Sequence, residues 1–180
     1  MDLGNYGWLT TIGTLPRMVS EALNLWDVEE KPGGEDNPEI LKWAQEVGGD
    51  VAASYDADSI PWCGLTMAVV ARRAGKTPPA NPLWALNWRN FGQASGQPDL
   101  GDIIVFTRDG GGHVGLYVGE DSTHYHVLGG NQNDKVCIGR YIKERLLEAR
   151  KPLYMNAPAT AIPILLDSDG RRLADAIGHA

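Results

Sequence analysis

The sequence predicts an α+β domain in which N-terminal helices pack on one face of a C-terminal antiparallel sheet. Apolar residues recur at helical spacing along the first part of the chain: Met18, Ala22, Leu25 and Trp26, then Ile40, Ala44 and Val47. From Gly101 onward the period changes to short β-branched or aromatic segments, Asp102 to Phe106, His113 to Val118, His124 to Leu128 and Val136 to Tyr141. Gly, Asp, Asn and Ser separate those segments, as the turns of an antiparallel sheet require. Helices first and strands after is the α+β order.

Each helix carries its own start and stop. Pro16 suits a first turn, where its missing N–H costs nothing, and Lys31-Pro32-Gly33-Gly34 breaks the chain afterwards. Asn37-Pro38-Glu39 offers a capping side chain followed by proline, and Gly48-Gly49 ends that helix. Pro61 precedes a third helix with no breaker until Gly75, which puts Cys63 in its first turn. Thr77 to Gln97 reads as a loop-rich crossover with a short helix around Leu83 to Trp88, and Lys151 to Met155 as a further strand. The domain is expected over residues 1–155, helical to about 97 and sheet from about 101, with 156–180 a tail of unassigned role.

Bulk properties exclude several functions. A formal net charge of -7 without clustered Lys and Arg argues against nucleic acid, and no run of 18 apolar residues argues against membrane insertion. Met1 to Arg17 lacks a basic segment followed by an apolar one, so synthesis in the cytoplasm without a signal peptide is expected. Two cysteines, Cys63 and Cys137, are too few for a disulfide scaffold and read as independent thiols. His124 and His126 share one strand face, but no third ligand stands at a familiar spacing, so no metal is expected. Asp167-Ser168-Asp169-Gly170 opens like a calcium loop, yet its twelfth position is Gly178 instead of Glu, which favours a plain turn.

Cys63 is the reactive candidate. Unpaired N–H groups at a helix start favour thiolate, and His113, beginning a strand after Gly110-Gly111-Gly112, is placed to act as its base. Together they predict a thiol pKa below that of free cysteine. The Cys63 backbone N–H is a candidate oxyanion donor. Taken alone, a helix-start cysteine is usually a small buried hydrophobe and a strand-start histidine ordinary surface; their ordered combination is what points to catalysis.

Ile60-Pro61-Trp62-Cys63, Pro98-Asp99-Leu100-Gly101-Asp102-Ile103-Ile104-Val105-Phe106 and Gly112-His113-Val114-Gly115-Leu116-Tyr117-Val118-Gly119 carry a resemblance. Over roughly Leu15 to Pro152 the chain resembles the NlpC-like peptidoglycan cysteine peptidases, whose plan the CHAP hydrolases share. The resemblance implies a papain-like fold, no cofactor, and amide hydrolysis in peptidoglycan peptides, by endopeptidase or N-acetylmuramoyl-L-alanine amidase action. Cys63 matches the nucleophile and His113 the base. Many of those enzymes have an acid before the cysteine, to bind a stem-peptide amine, and a serine after it; here Trp62 and Gly64 stand there, so amine specificity is not implied. A phage or bacterial lytic enzyme reaching the wall through a holin, a particle or a secretion system is expected. The alternatives are a non-catalytic wall-binding or particle-structural module and acyl transfer by the same thiol.

A third residue should hold the His113 ring. A hairpin with a three-residue loop at Asp121 to Thr123 pairs Glu120 with His124 and puts His113 opposite Asn131. A two-residue loop pairs His126 with Tyr117, about 13 Å along the strand from His113. Asn131 is therefore favoured and His126 is the alternative. Trp62, Asp58 and Tyr55, close to Cys63 in sequence, are candidate substrate-binding residues, with core packing the competing reading.

Overall fold

The computed structural model describes residues 1–173; residues 174–180 of the expected tail, including Gly178, lie outside the described residues. Four α-helices come first: α1 (Arg17–Leu23), α2 (Pro38–Val47), α3 (Gly49–Ser54) and α4 (Cys63–Arg73). The Asn37 side chain accepts the Glu39 N–H at 2.9 Å, capping α2, and Gly48 ends the helix at a φ of 75° that glycine adopts without strain. Every residue of α4 from Cys63 to Ala71 is buried, because α1 and α2 cover one side and the sheet covers the other.

The sheet has six strands: β1 (Gln93–Ala94), β2 (Ile103–Arg108), β3 (Gly111–Glu120), β4 (His124–Gln132), β5 (Lys135–Ile142) and β6 (Leu146–Lys151), in the order β1-β6-β2-β3-β4-β5 and antiparallel throughout. The expected α+β architecture is thus what the chain forms. The main core lies between the helices and one sheet face, while Ile104, Phe106, Tyr117, Val127 and Ala149 pack in a smaller cluster. Phe106 on β2 stacks on Tyr141 of β5 with ring centroids 4.9 Å apart. Three strand spacings on a flat sheet amount to about 14 Å. The sheet must therefore curl, bringing its far strand back toward the start of β3.

Two expectations differ from the fold. The strand expected at Lys151 to Met155 lies instead at Leu146–Lys151. This strand sits between β1 and β2, and Pro152, with no N–H to donate, follows its last residue. The described part of the expected tail is also not separate from the domain. Ile164 and Leu166 are buried in the main core, Leu166 N–H bonds Glu120 O at 2.9 Å, and Trp8 Nε1 donates to Gly170 O at 3.0 Å. Asp167 to Gly170 is a turn, with Asp167 Oδ1 accepting the Asp169 and Arg171 N–H groups. Among the described residues no helix is long and apolar enough to cross a membrane.

Leu166→Ala is expected to destabilise the whole domain by about 2–5 kcal/mol, the range for truncating a buried leucine to alanine. Urea unfolding measures it; an unchanged midpoint would mean that this segment lies outside the cooperative unit.

Candidate active site

Cys63 is the first residue of α4 and only 4% exposed. Two glycines let the helix start approach its neighbours closely. A Cβ on Gly64 would lie 2.4 Å from Pro82 O, and one on Gly130 would lie 2.0 Å from Thr66 Oγ1 of α4. The first contact explains why the chain cannot carry serine after the cysteine without displacing the Pro82-Leu83 backbone.

The thiol meets β3 where the sheet opens. Tyr117 N–H bonds Asp102 O toward β2, so by strand alternation the Val114 N–H points the other way, toward β4. The β3–β4 pairing runs from Glu120↔Tyr125 to Leu116↔Leu128, and past it β4 bulges between Gly129 and Gln132, with Asn131 at a φ of 53°. The Val114 N–H is thereby available to Cys63, whose thiolate it favours. His113, the residue before, is 3% exposed and stacks on Tyr141 at 4.7 Å with 7° between the rings.

The partner of His113 is Gln132. His113 Nε2 lies 3.0 Å from Gln132 Oε1. The orientation of that amide is fixed by the carbonyls of Val127, Gly129 and Cys137, at 3.1, 3.2 and 2.5 Å from Gln132 Nε2. Its NH₂ must face those acceptors, so its oxygen faces the ring and His113 Nε2 is the N–H donor. Nδ1 then holds the lone pair able to take a proton.

Neither expected partner occupies this position. Asn131 takes the left-handed conformation within the bulge, and the next residue supplies the amide. His126 is fully buried and engaged elsewhere, with Nδ1 2.6 Å from Tyr6 Oη and Nε2 3.0 Å from Asp121 Oδ2. The sequence reading missed Gln132; the signal that could have found it is the bulge-forming run Gly129-Gly130-Asn131 directly before it.

The three residues expected to border the substrate are scaffold. Trp62 is fully buried and donates from Nε1 to Glu30 Oε2 at 3.1 Å. Asp58 Oδ2 accepts the N–H groups of Lys31 and Asn37 at 3.0 and 2.7 Å, closing the loop before α2. Tyr55 donates its hydroxyl to Ile60 O at 3.0 Å. Of the three tryptophans near this region, Trp62 and Trp88 are core and Trp84 is half exposed. Trp84 lines a cleft of about 330 Å³ with Ile60, Cys63, Leu83, Arg108 and the Gly110 to Gly112 turn.

The electrostatics differ from the sequence expectation. Burial pushes the Cys63 thiol pKa up, outweighing the Val114 N–H, the Arg108 guanidinium and the N–H groups of Gly64 and Cys63, which act the other way. Burial also pushes His113 down to about 4, against the Gln132 hydrogen bond and helped by Arg108. The helix start is present, but desolvation wins. The resting pair is a neutral thiol and a neutral imidazole.

The His113 shift has a stability consequence. Its folded pKa of about 4 lies below the ordinary 6.5, so the unfolded chain binds the proton more tightly. Stability is lost as pH falls through this window and the loss is complete below the folded pKa, amounting to about 3 kcal/mol. In His113→Gln, urea midpoints at pH 7 and pH 4 should differ less than in the wild type; an equal difference would contradict burial of a neutral ring.

No family model matches the chain, and no curated protein matches it. Among solved structures, it is similar to the P60 domain of the M. avium subspecies paratuberculosis antigen MAP1204. The TM-score is 0.44 at 18% identity, over 77% of this chain and 94% of that one.

Gln132→Ala is expected to lower turnover by about tenfold or more, corresponding to about 1.4 kcal/mol of transition-state stabilisation, by letting the ring rotate. Asn131→Ala and His126→Ala should fall well short of that in kinetics on folded variants. The reverse order would show that another side chain positions His113.

Proposed function

We propose that this chain is a thiol-dependent hydrolase of peptidoglycan peptides, with Cys63 as nucleophile, His113 as base and Gln132 as the residue that positions the ring. The observation carrying this reading is the cysteine at a helix start in a cleft, its thiol against the β3 residue Val114, with the residue before Val114 a histidine whose tautomer Gln132 fixes. The sequence motifs around both residues, which resemble those of NlpC-like peptidases, supply the substrate class.

In the first half-reaction the Cys63 proton passes to His113 Nδ1 as sulfur attacks the amide carbon. The resulting oxyanion is received by the Cys63 backbone N–H. Collapse breaks the C–N bond, the amine leaves with the proton from Nδ1, and a thioester remains. Water then attacks, giving one proton to Nδ1; collapse breaks the C–S bond, Nδ1 returns that proton to sulfur, and the product leaves as carboxylate with its remaining proton released to solvent. Because the resting pair is neutral, proton transfer and attack are coupled. The pair is not a preformed ion pair.

Digestion of purified peptidoglycan, with termini identified by mass spectrometry, tests this reading. New amines on stem residues indicate endopeptidase action, and a released lactyl carboxylate indicates amidase action. No product from several wall types would overturn the hydrolase and favour a binding module of a wall or phage particle. We further propose that the enzyme is lytic and reaches the wall through a holin, a particle or a secretion system; loss of wall turbidity on adding purified protein from outside tests its lytic capacity.

A further inference from the structure

We propose that Arg108 sets the substrate specificity of this cleft by binding a free carboxylate that the peptide carries beside its scissile amide, an inference that rests on the hydrolase reading. Arg108 ends β2 at the hairpin turn, opposite Gly111, and lines the same cleft as Cys63. Its charge reaches both reacting groups, since it favours the thiolate of Cys63 and disfavours protonation of His113.

No carboxylate lines the cleft, and Asp109, the next residue, is not part of its wall. Among the described residues no ion pair engages Arg108, whereas Arg73, Arg140 and Arg171 bond Glu46, Asp121 and Asp169. Apart from Cys63 and the neutral Asn81, the rest of the wall is apolar side chain, chiefly Ile60, Leu83 and Trp84, or glycine backbone that a peptide can approach closely. On a chain of net charge -7, this is a local cation in an apolar cleft beside the nucleophile. A guanidinium pairs with a carboxylate through two parallel hydrogen bonds, a geometry that a peptide amine or a neutral amide cannot match. Amine recognition has no counterpart here, because Trp62 is buried where an acid would stand.

Two measurements test this separately. Matched peptides carrying a carboxylate or a carboxamide next to the cleaved bond should differ at least about tenfold in kcat/KM, Arg108→Gln should abolish the preference, and Arg108→Lys should retain part of it. Independently of turnover, Cys63 is alkylated with iodoacetate or iodoacetamide, each forming one S–C bond and releasing iodide. The iodoacetate to iodoacetamide rate ratio should fall by about fivefold or more in Arg108→Gln, and added salt should lower the wild-type ratio. A lower ratio in a protein that cuts no peptide would uphold the anion site while the hydrolase reading failed. A ratio and a peptide preference both unaffected by Arg108→Gln would overturn the proposal.

Discussion

Cys63→Ala is expected to lower hydrolysis of wall peptides by at least about 10⁴-fold, corresponding to about 5.4 kcal/mol of barrier, because no other described group in the cleft can form the acyl intermediate. The fold should survive, since removing one buried sulfur at a helix start costs about 1 kcal/mol. Cys137→Ser should keep most turnover. Cys137 lies on β5, half-buried, and donates only to Gln132 O at 3.2 Å, a bond that a hydroxyl can replace. Turnover surviving in Cys63→Ala, or equal loss in both variants, would remove the assignment.

His113→Ala is expected to cost about 10³-fold at pH 7, within the range for loss of a general base. Its pH profile carries more information than its rate. In the wild type, His113 near 4 and a raised thiol pKa bound a broad plateau in which both groups are neutral and coupled attack proceeds. Without the imidazole only the thiolate attacks. Burial keeps the thiolate scarce at neutral pH, so the variant's rate should climb about tenfold per pH unit toward the thiol pKa. Stopped assays across pH 5 to 10 on the folded variant measure this. A flat profile with less than about tenfold loss would show that His113 is not the base.

Much of the fold was legible because its signals are local. Pro61 and Gly75 bracket α4 in the sequence as they do in the structure, and the switch of period at Gly101 marks the start of the sheet. The β3–β4 register at Leu116 was legible for a less direct reason, although the expected pair of Glu120 with His124 is replaced by Glu120 with Tyr125. The last β3–β4 pair is Glu120 with Tyr125, which leaves four residues between them where three were expected, and an extra residue at Val118 on β3 compensates. Leu116 therefore faces Leu128, as the shorter loop also requires. The extra loop residue is held by Asp121, whose side chain accepts the Thr123 and His124 N–H groups while Arg140 and His126 bond its other oxygen. A turn rule reads neighbours along the chain and cannot see Arg140 arriving from β5.

What stayed hidden depends on long-range packing. The β4 bulge moves the ring-positioning role one residue on, from Asn131 to Gln132, whose amide bonds Val127 O and Gly129 O of its own strand and gains its third acceptor, Cys137 O, only when β5 folds alongside. Trp62, Asp58 and Tyr55 are near Cys63 in sequence, but their side chains are buried, and of the segment before α4 it is Ile60 and Pro61 that line the cleft. The direction of the thiol shift was missed for the same reason. A helix start is visible in sequence, whereas the burial that overrides it is not.

The most direct test of the account is partial alkylation. The protein is modified with iodoacetamide to graded extents, the fractions of Cys63 and Cys137 modified are mapped by mass spectrometry, and residual wall hydrolysis is measured on each sample. Turnover should fall linearly with the fraction of Cys63 modified, reaching zero at full modification, and should not depend on Cys137. Hydrolysis that persists when Cys63 is fully alkylated would contradict it.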